Sequence, residues 1–224
     1  MGDWSQIRFV EDYRSFFRGP ILEVGSHDYG TTPPLRTLFP GESYTGVDLF
    51  AGKGVDRIID LTDPFEEVDR ALGGGRFNSI FCSSVLEHCQ DPFGMAANIT
   101  LLLKPRGMLY VSVPFAWKVH DYPADYWRFT PQGIERLFPR IHFDPTLMLA
   151  SSPRSGEFYS LVDDLGRIGK EGPRWRGPGS RFKDRCESFL TRLLIFIGTP
   201  SWLRRYRYVL APTLIHMVGS CEPD

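Results

Sequence analysis

Apolar residues fall into two kinds of run along the chain. Some blocks are wholly apolar or strictly alternating. They are "ILEV" from Ile21, "SYTGVDL" with Asp48 near its end, "VDRIID" ending at Asp60, "FNSIFCSSV" from Phe77 and "GMLYVSVPF" from Gly107. Such blocks, bounded by Gly, Pro and Asp, read as strands. Other stretches repeat their apolar positions every three to four residues. The first twenty residues, with Trp4, Ile7, Phe9, Val10, Tyr13, Phe16 and Phe17, predict a helix stopped by Gly19-Pro20. Thr32-Pro33 reads as a helix entry, Phe65 to Leu72 as a helix closed by Gly73, and "GMAANITLLLK" as another. Strands alternating with helices predict an α/β fold whose mostly parallel sheet is covered on both faces.

Beyond Phe115 the pattern loosens. "KVHDYPADYWRFT" is a polar and aromatic loop, and "PQGIERLF" is a short helix with Thr130 as its cap. "HFDPTLMLA" suits a sixth strand and "PTLIHMVGS" a last one. Between them, residues 151–207 look like a helical insertion, giving a core over residues 1–150 that closes with a strand in 208–224. Ser180 can cap its central helix, which runs to Gly198.

Composition narrows the partners. The 224 residues are 42% hydrophobic, and the net charge of -1 does not advertise nucleic acid. Cys82, Cys89, Cys186 and Cys221 form no CxxC pair, so no metal site is expected. No signal-peptide pattern opens the chain, and scattered thiols suit a reducing cytoplasm. The basic charge is concentrated in residues 166–207, with eleven Lys or Arg against three Asp or Glu. That segment is compatible with a peripheral membrane contact, with a lid or homodimer helix, or with an ordinary amphipathic helix packed on the domain.

In a doubly wound sheet, ligands bind beyond the C-terminal strand ends, and polar residues cluster there. The loop after the first strand is Gly25-Ser26-His27-Asp28-Tyr29-Gly30. Its glycines admit a close ligand, but it lacks the GxGxxG of a pyrophosphate site. Glu23 and Asp28 suit an ammonium or sulfonium instead. Asp48, followed by Leu49, can accept ribose hydroxyls, with a solvated strand-end carboxylate as the plain alternative. Asp60 with Leu61 can meet an adenine, or Asp60 can simply start the turn "DLTDP".

These segments resemble, in order, the class I S-adenosylmethionine-dependent methyltransferases, and more narrowly their bacterial small-molecule, type 11-like branch. The matching residues are "LEVGSHDYG", "YTGVDLFAGKGVD", "IID", "FNSIFCSSVLEHCQDP", "LLLKPRGMLYVSVPF" and "HDYPADYWRFTPQGIERLF", across roughly residues 20–140. The "DYWRFT" segment is similar to enzymes of glycan and secondary-metabolite clusters. His27 departs from a second glycine, and Arg106 from the usual "KPGG". The resemblance implies a Rossmann-like sheet of seven strands, the last antiparallel, and S-adenosylmethionine as methyl donor. It also implies that Glu23 and Gly25 lie beside the methionine moiety, with Ser26, His27 and Gly30 completing the loop. Asp48 and Leu49 are then on the ribose side and Asp60 and Leu61 on the adenine side. Ser83 and Ser84 lie near the sulfonium, with Leu86 and His88 behind them.

An alcohol acceptor needs a base. His120, beside Asp121, is the first candidate, and His88 competes with it or serves a structural role. Tyr122, Tyr126, Trp127 and Arg128 can line an acceptor pocket, or Trp127 and Arg128 can instead pack and ion-pair to hold the loop. The expected activity is O-methylation of a small saccharide-type or natural-product acceptor. N- or C-methylation, or a non-catalytic S-adenosylmethionine-binding module, stays open. An adenine N6-methyltransferase would carry Asn/Asp-Pro-Pro-Tyr/Phe where this chain has "SSVLEH".

Overall fold

The computed structural model describes residues 3–120, 124–151, 158–161 and 213–223. The elements are α1 (Trp4–Asp12), β1 (Ile21–Val24), β2 (Tyr44–Asp48), β3 (Arg57–Ile58), α2 (Phe65–Leu72) and β4 (Phe77–Ser83), followed by α3 (Pro92–Leu102), β5 (Leu103–Ala116), α4 (Pro131–Leu137), β6 (Ile141–Phe143), β7 (Leu149–Ser151), β8 (Phe158–Ser160) and β9 (Thr213–Cys221). The sheet order is β3-β2-β1-β4-β5-β9-β7-β8, with β6 also on β9. Strands β1 to β5 pair in parallel, and β9 runs antiparallel to β5. The chain winds outward from β1 in one direction and from β4 in the other. The crevice between them is the switch point at which such sheets bind ligands.

Alternation along the strands builds two cores. On β1, Ile21 joins Phe9, Phe17, Phe81 and Tyr110 on the face covered by α1. Leu22 and Val24 join Ile80, Cys82, Ile99 and Leu109 on the face covered by α2, α3 and α4. Phe9 stacks on both Tyr110 and His216, with ring centroids 5.1 Å apart in each case. His216 is fully buried, with its two ring nitrogens satisfied by the Tyr110 hydroxyl (2.9 Å) and Ser151 Oγ (2.8 Å). Burial pushes its pKa down to about 3, so it stays neutral in the core.

Helix α2 has the predicted bounds and closes at Gly73, which takes the left-handed conformation at φ 74°. Helix α4 starts as predicted, with Thr130 accepting from the Gly133 amide at 3.1 Å. Helix α3 starts earlier than expected, at Pro92, because Asp91 caps it by accepting from the Gly94 amide. Helix α1 is shorter than its pattern. It stops at Asp12, and the chain turns so that Phe17 reaches Phe81, ring centroids 4.8 Å apart. No helix begins at Thr32-Pro33. Pro34 holds its neighbourhood extended, and only a single 3-10 turn, Leu35–Leu38, follows.

Among the described residues the sheet has nine strands where seven were expected. The sixth is split: β6 pairs with Gly219–Cys221 and β7 with Leu214–His216, so both run along β9. The break is Asp144-Pro145, where proline has no N–H to donate and Asp144 caps a turn by accepting from Thr146 N. The other extra strand, β8, lies inside the stretch expected to be a helical insertion. The third strand shrinks to two exposed residues at the sheet edge. Residues 166–207, with the expected lid, dimer or membrane roles, lie outside the described residues. Among the described residues, no helix is long and apolar enough to cross a membrane.

Strand β5 begins at Leu103 and passes through a register shift opposite Phe77–Ser79. Within it Arg106 holds φ 61°, a left-handed conformation that disfavours any Cβ. This is the position where the resembling family carries glycine. Arg106→Gly is expected to stabilise the fold by about 1 kcal/mol. A thermal melt would then rise by roughly 2–4 °C. A fall in Tm would show that the arginine side chain outweighs the strain.

Candidate functional site

A cavity of about 340 Å³ opens beyond the C-terminal ends of β1, β2 and β4. Each wall comes from one strand-end loop. From β1 come Gly25, His27 and Tyr29, and from β2 Asp48, Leu49 and Phe50. Ile59 and Leu61 follow β3, Ser84, Val85 and His88 follow β4, and His120 follows β5. Gly25 has φ 73°, and a Cβ there would lie 2.4 Å from Val85 Cγ2. A residue without a side chain is therefore needed where the first loop meets the fourth.

Asp48 is held at the cavity wall by two backbone amides, His27 N (3.3 Å) and Phe50 N (3.1 Å). Its carboxylate is thus fixed where a ligand's hydroxyls can reach it. Leu49, Phe50, Ile59, Leu61 and Met95 form an apolar slot beside it. Asn98, buried on α3, donates to the carbonyls of Leu61 and Asp63 (2.8 Å each) and so fixes the slot's floor. Asp60 does not line the cavity. Its carboxylate accepts from Thr62 N (2.8 Å) and Thr62 Oγ1 (2.7 Å), the turn-starting alternative.

The first loop divides its side chains between two cavities. His27 lines both, stacks on Tyr29 (centroids 4.4 Å) and packs so close to Gly52 that a Cβ there would touch its ring. The histidine fills the space that a second glycine would leave, and it also faces the main cavity. Glu23, Ser26, Asp28 and Ser83 line only the smaller neighbouring cavity. Gly30 and Leu86 line neither, and Leu86 is fully buried. Asp28 is committed to Lys53 Nζ at 2.7 Å and to the Gly30 amide.

Glu23 accepts from the Tyr44 hydroxyl at 2.8 Å. Burial pushes its carboxyl up to about 7 from an ordinary 4.5. The folded state therefore holds a proton that the unfolded chain has lost. The associated stability is complete below about pH 4.5 and disappears as pH rises through about 7. Glu23→Gln should flatten the decline in stability between pH 5 and 8 by on the order of 3 kcal/mol. Melting curves at the two pH values check this, and parallel declines in variant and wild type would refute it.

Ser84 takes φ 53°, a rare conformation for serine. Its amide donates to Ser112 O (2.8 Å), and its hydroxyl accepts from Gln6 Nε2 (2.8 Å), which also donates to Ser112 Oγ (2.9 Å). The first helix therefore pins the fourth loop. Gln6 carried no sequence signal for these contacts, since its place three residues after Asp3 marks only a helix start.

At the far end the cavity turns polar. His88 and His120 stand edge to face, ring centroids 4.8 Å apart. Nδ1 of His88 donates to the Ala124 carbonyl, and burial lowers its pKa. Glu87 is 1% exposed, and burial pushes its carboxyl up to about 7. His120 Nδ1 lies 3.0 Å from Asp125 Oδ2, an ion-pair contact without hydrogen-bond alignment. Asp125 also accepts from His120 N (3.0 Å) and from both terminal nitrogens of Arg128, and its pKa is held far below the ordinary range. Asp121 and Tyr122 lie outside the described residues.

Tyr126, Trp127 and Arg128 do not line the cavity. Tyr126 N and Trp127 N donate to Glu87 O, and Trp127 Nε1 donates to Cys89 O (2.8 Å). Arg128 is spent on Asp125 and on the carbonyls of Trp127 and Lys118. The segment thus staples the loop after β5 onto the loop after β4.

The sequence profile of one family, described as a methyltransferase domain, matches residues 7–147. The chain belongs to this methyltransferase family. The matched span contains every described wall of the cavity, and S-adenosylmethionine is the family's methyl donor. The methyltransferase shares its fold with distant solved structures. An S-adenosylmethionine-dependent methyltransferase from Archaeoglobus fulgidus is 14% identical, with a TM-score of 0.55 over 96% of this chain and 92% of its own. A Burkholderia thailandensis 1,6-didemethyltoxoflavin N1-methyltransferase is 11% identical, with a TM-score of 0.53 over 98% of this chain and 79% of its own. The [4+2]-cyclase SpnF is 10% identical, with a TM-score of 0.52 over 100% of this chain and 85% of its own. At these identities the likeness concerns the fold alone, and the cyclase shows that the fold does not dictate the reaction. No curated protein matches the sequence.

The methyltransferase's cavity fits its donor. The bare Gly25, the amide-held Asp48 and the slot of Leu49, Phe50, Ile59 and Leu61 suit, in turn, a close-packed chain, a ribose and an adenine.

Proposed function

We propose that this methyltransferase methylates an oxygen of a small acceptor of the saccharide or natural-product type. The carrying observation is the pair His88–His120 at one end of the cavity, backed by buried Glu87. S-adenosylmethionine supplies a methyl group on a sulfonium, open to in-line displacement. An alcohol must also lose a proton in such a displacement, whereas a neutral amine need only be unprotonated. Two imidazoles at the acceptor end answer that need.

The remaining roles follow the walls. Gly25 and His27 hold the methionine part, with Glu23, Ser26 and Gly30 supporting the loop. Asp48 takes the ribose, and Leu49, Phe50, Ile59 and Leu61 enclose the adenine. Asp60 shapes the turn beneath. Ser84, with Ser83 and Leu86 behind it, fixes the wall nearest the sulfonium. His120 and His88 together draw off the acceptor's proton, and Asp125, Trp127 and Arg128 hold His120 in place.

The test uses a trideuteromethyl donor and a panel of sugars, sugar nucleotides, phenols and amines, read by mass. Label on a hydroxyl supports the reading, and label confined to nitrogen or carbon overturns it. His120→Ala should lower turnover by about 100-fold or more while the donor affinity, by titration calorimetry, stays within about twofold. Undiminished turnover would remove the imidazole pair from the reaction.

A further inference from the structure

We propose that Glu87, His88 and His120 bind one first-row divalent cation at the polar end of the cavity. One ligand atom from each lies within 4.8 Å of the other two, and His88 Nε2 is 3.9 Å from Glu87 Oε1. Two imidazoles and one carboxylate, with coordination positions left open, suit manganese, iron, cobalt or zinc.

Three further observations point the same way. Nδ1 of His88 is held by the Ala124 carbonyl, and Nδ1 of His120 lies against Asp125. The His88 ring is thereby oriented with Nε2 left to ligate, as metal-bound histidines are held by an oxygen partner behind them, while His120 Nδ1 has a carboxylate beside it without an aligned hydrogen bond. Glu87 is almost wholly buried, yet its Oε2 has no hydrogen-bond partner. A buried carboxylate oxygen without a partner is costly, and a cation would relieve it. Finally, His88 and His120 line the cavity while Glu87 lies beneath it, so the open positions fall on the cavity side. Ligands about 2.1 Å from such an ion sit roughly 3.0–3.4 Å apart. The set must close from its 4.8 Å spread to that spacing, and His120 is the most exposed of the three.

An acceptor oxygen would complete the coordination shell, and this placement rests on the methyl-transfer reading. The imidazole pair would then act on that oxygen through the cation. Cation binding itself does not depend on the reading.

The experiment is titration of the chelator-treated 224-residue chain with cobalt(II) chloride, followed by visible absorption and calorimetry. One equivalent per chain is expected, with affinity reduced at least tenfold in His120→Ala and in Glu87→Gln. His142→Ala should bind as wild type does, since the exposed His142–Glu222 pair is the competing surface site. Absence of stoichiometric binding, indifference to both site variants, or loss in His142→Ala overturns the proposal. Should either site variant fail to fold, X-ray absorption of the wild-type cobalt complex decides. Two imidazoles and a carboxylate support the site, and any other donor set refutes it. Donor binding measured on the same samples separates the two proposals. Retained S-adenosylmethionine affinity without cobalt binding defeats the cation and leaves methyl transfer standing.

Discussion

Gly25→Ala lowers the affinity for S-adenosylmethionine by at least about tenfold and lowers Tm by roughly 4–20 °C. Two costs add at this position. The backbone at φ 73° disfavours any Cβ by about 1–2 kcal/mol. The new methyl group would fall 2.4 Å from Val85 Cγ2, and overpacking of this kind costs about 1–3 kcal/mol. Relief requires the loop to move, and the loop carries the His27 amide that fixes Asp48. Stability and donor binding should therefore fall together. Calorimetry and a thermal melt measure both. Val85→Ala in the same chain should restore part of the loss, because it removes the contact but not the strain. A double variant no better than Gly25→Ala would show that the contact is not the cause.

Asp125→Ala should cost about 3 kcal/mol and roughly 6–12 °C of Tm. Its carboxylate is 1% exposed and is shared by Arg128, the His120 amide and the His120 ring. Removing it leaves a guanidinium facing backbone carbonyls without its counter-charge. The cost lies at the low end for a broken buried pair because Arg128 keeps 27% exposure and can turn to water. The loop after β5 should loosen, and turnover should fall more than donor affinity. Faster hydrogen exchange at the Tyr126 and Trp127 amides, both bonded to Glu87 O, would report the loosening. Adding Arg128→Met should recover stability. If it does not, the unpaired arginine is not what the first substitution exposes.

Much of this site was legible because it depends on order along the chain. Ile21–Val24, Phe77–Ser83 and their alternation specify buried parallel strands, and polar groups just beyond such strands face one crevice. Gly25, Asp48 and His120 were read from their place after strands, Leu49, Leu61, Ser84 and His88 were also implied by the resemblance, and all of them line the cavity. The residues that escaped do their work through contacts distant in sequence. Asp125, five residues along, meets His120. The only local hint was an acid three residues before Arg128. Asp60 and Asp28 carry the residue type a ligand would want, but neighbouring amides and Lys53 take their carboxylates first. The split of the sixth strand was written in Asp144-Pro145. Its consequence needs β9 in place, because only there do both pieces find one partner.

Gln6 reaches partners that lie 78 and 106 positions further along the chain. The left-handed conformation of Ser84 is consequently tied to a contact of high sequence separation, formed only when the first helix docks on an assembled β4–β5 pair. Local opening is then cooperative across that distance. Any excursion that lifts α1 releases Ser84 in the same event, so amide exchange at the helix and at the fourth loop should share one opening free energy.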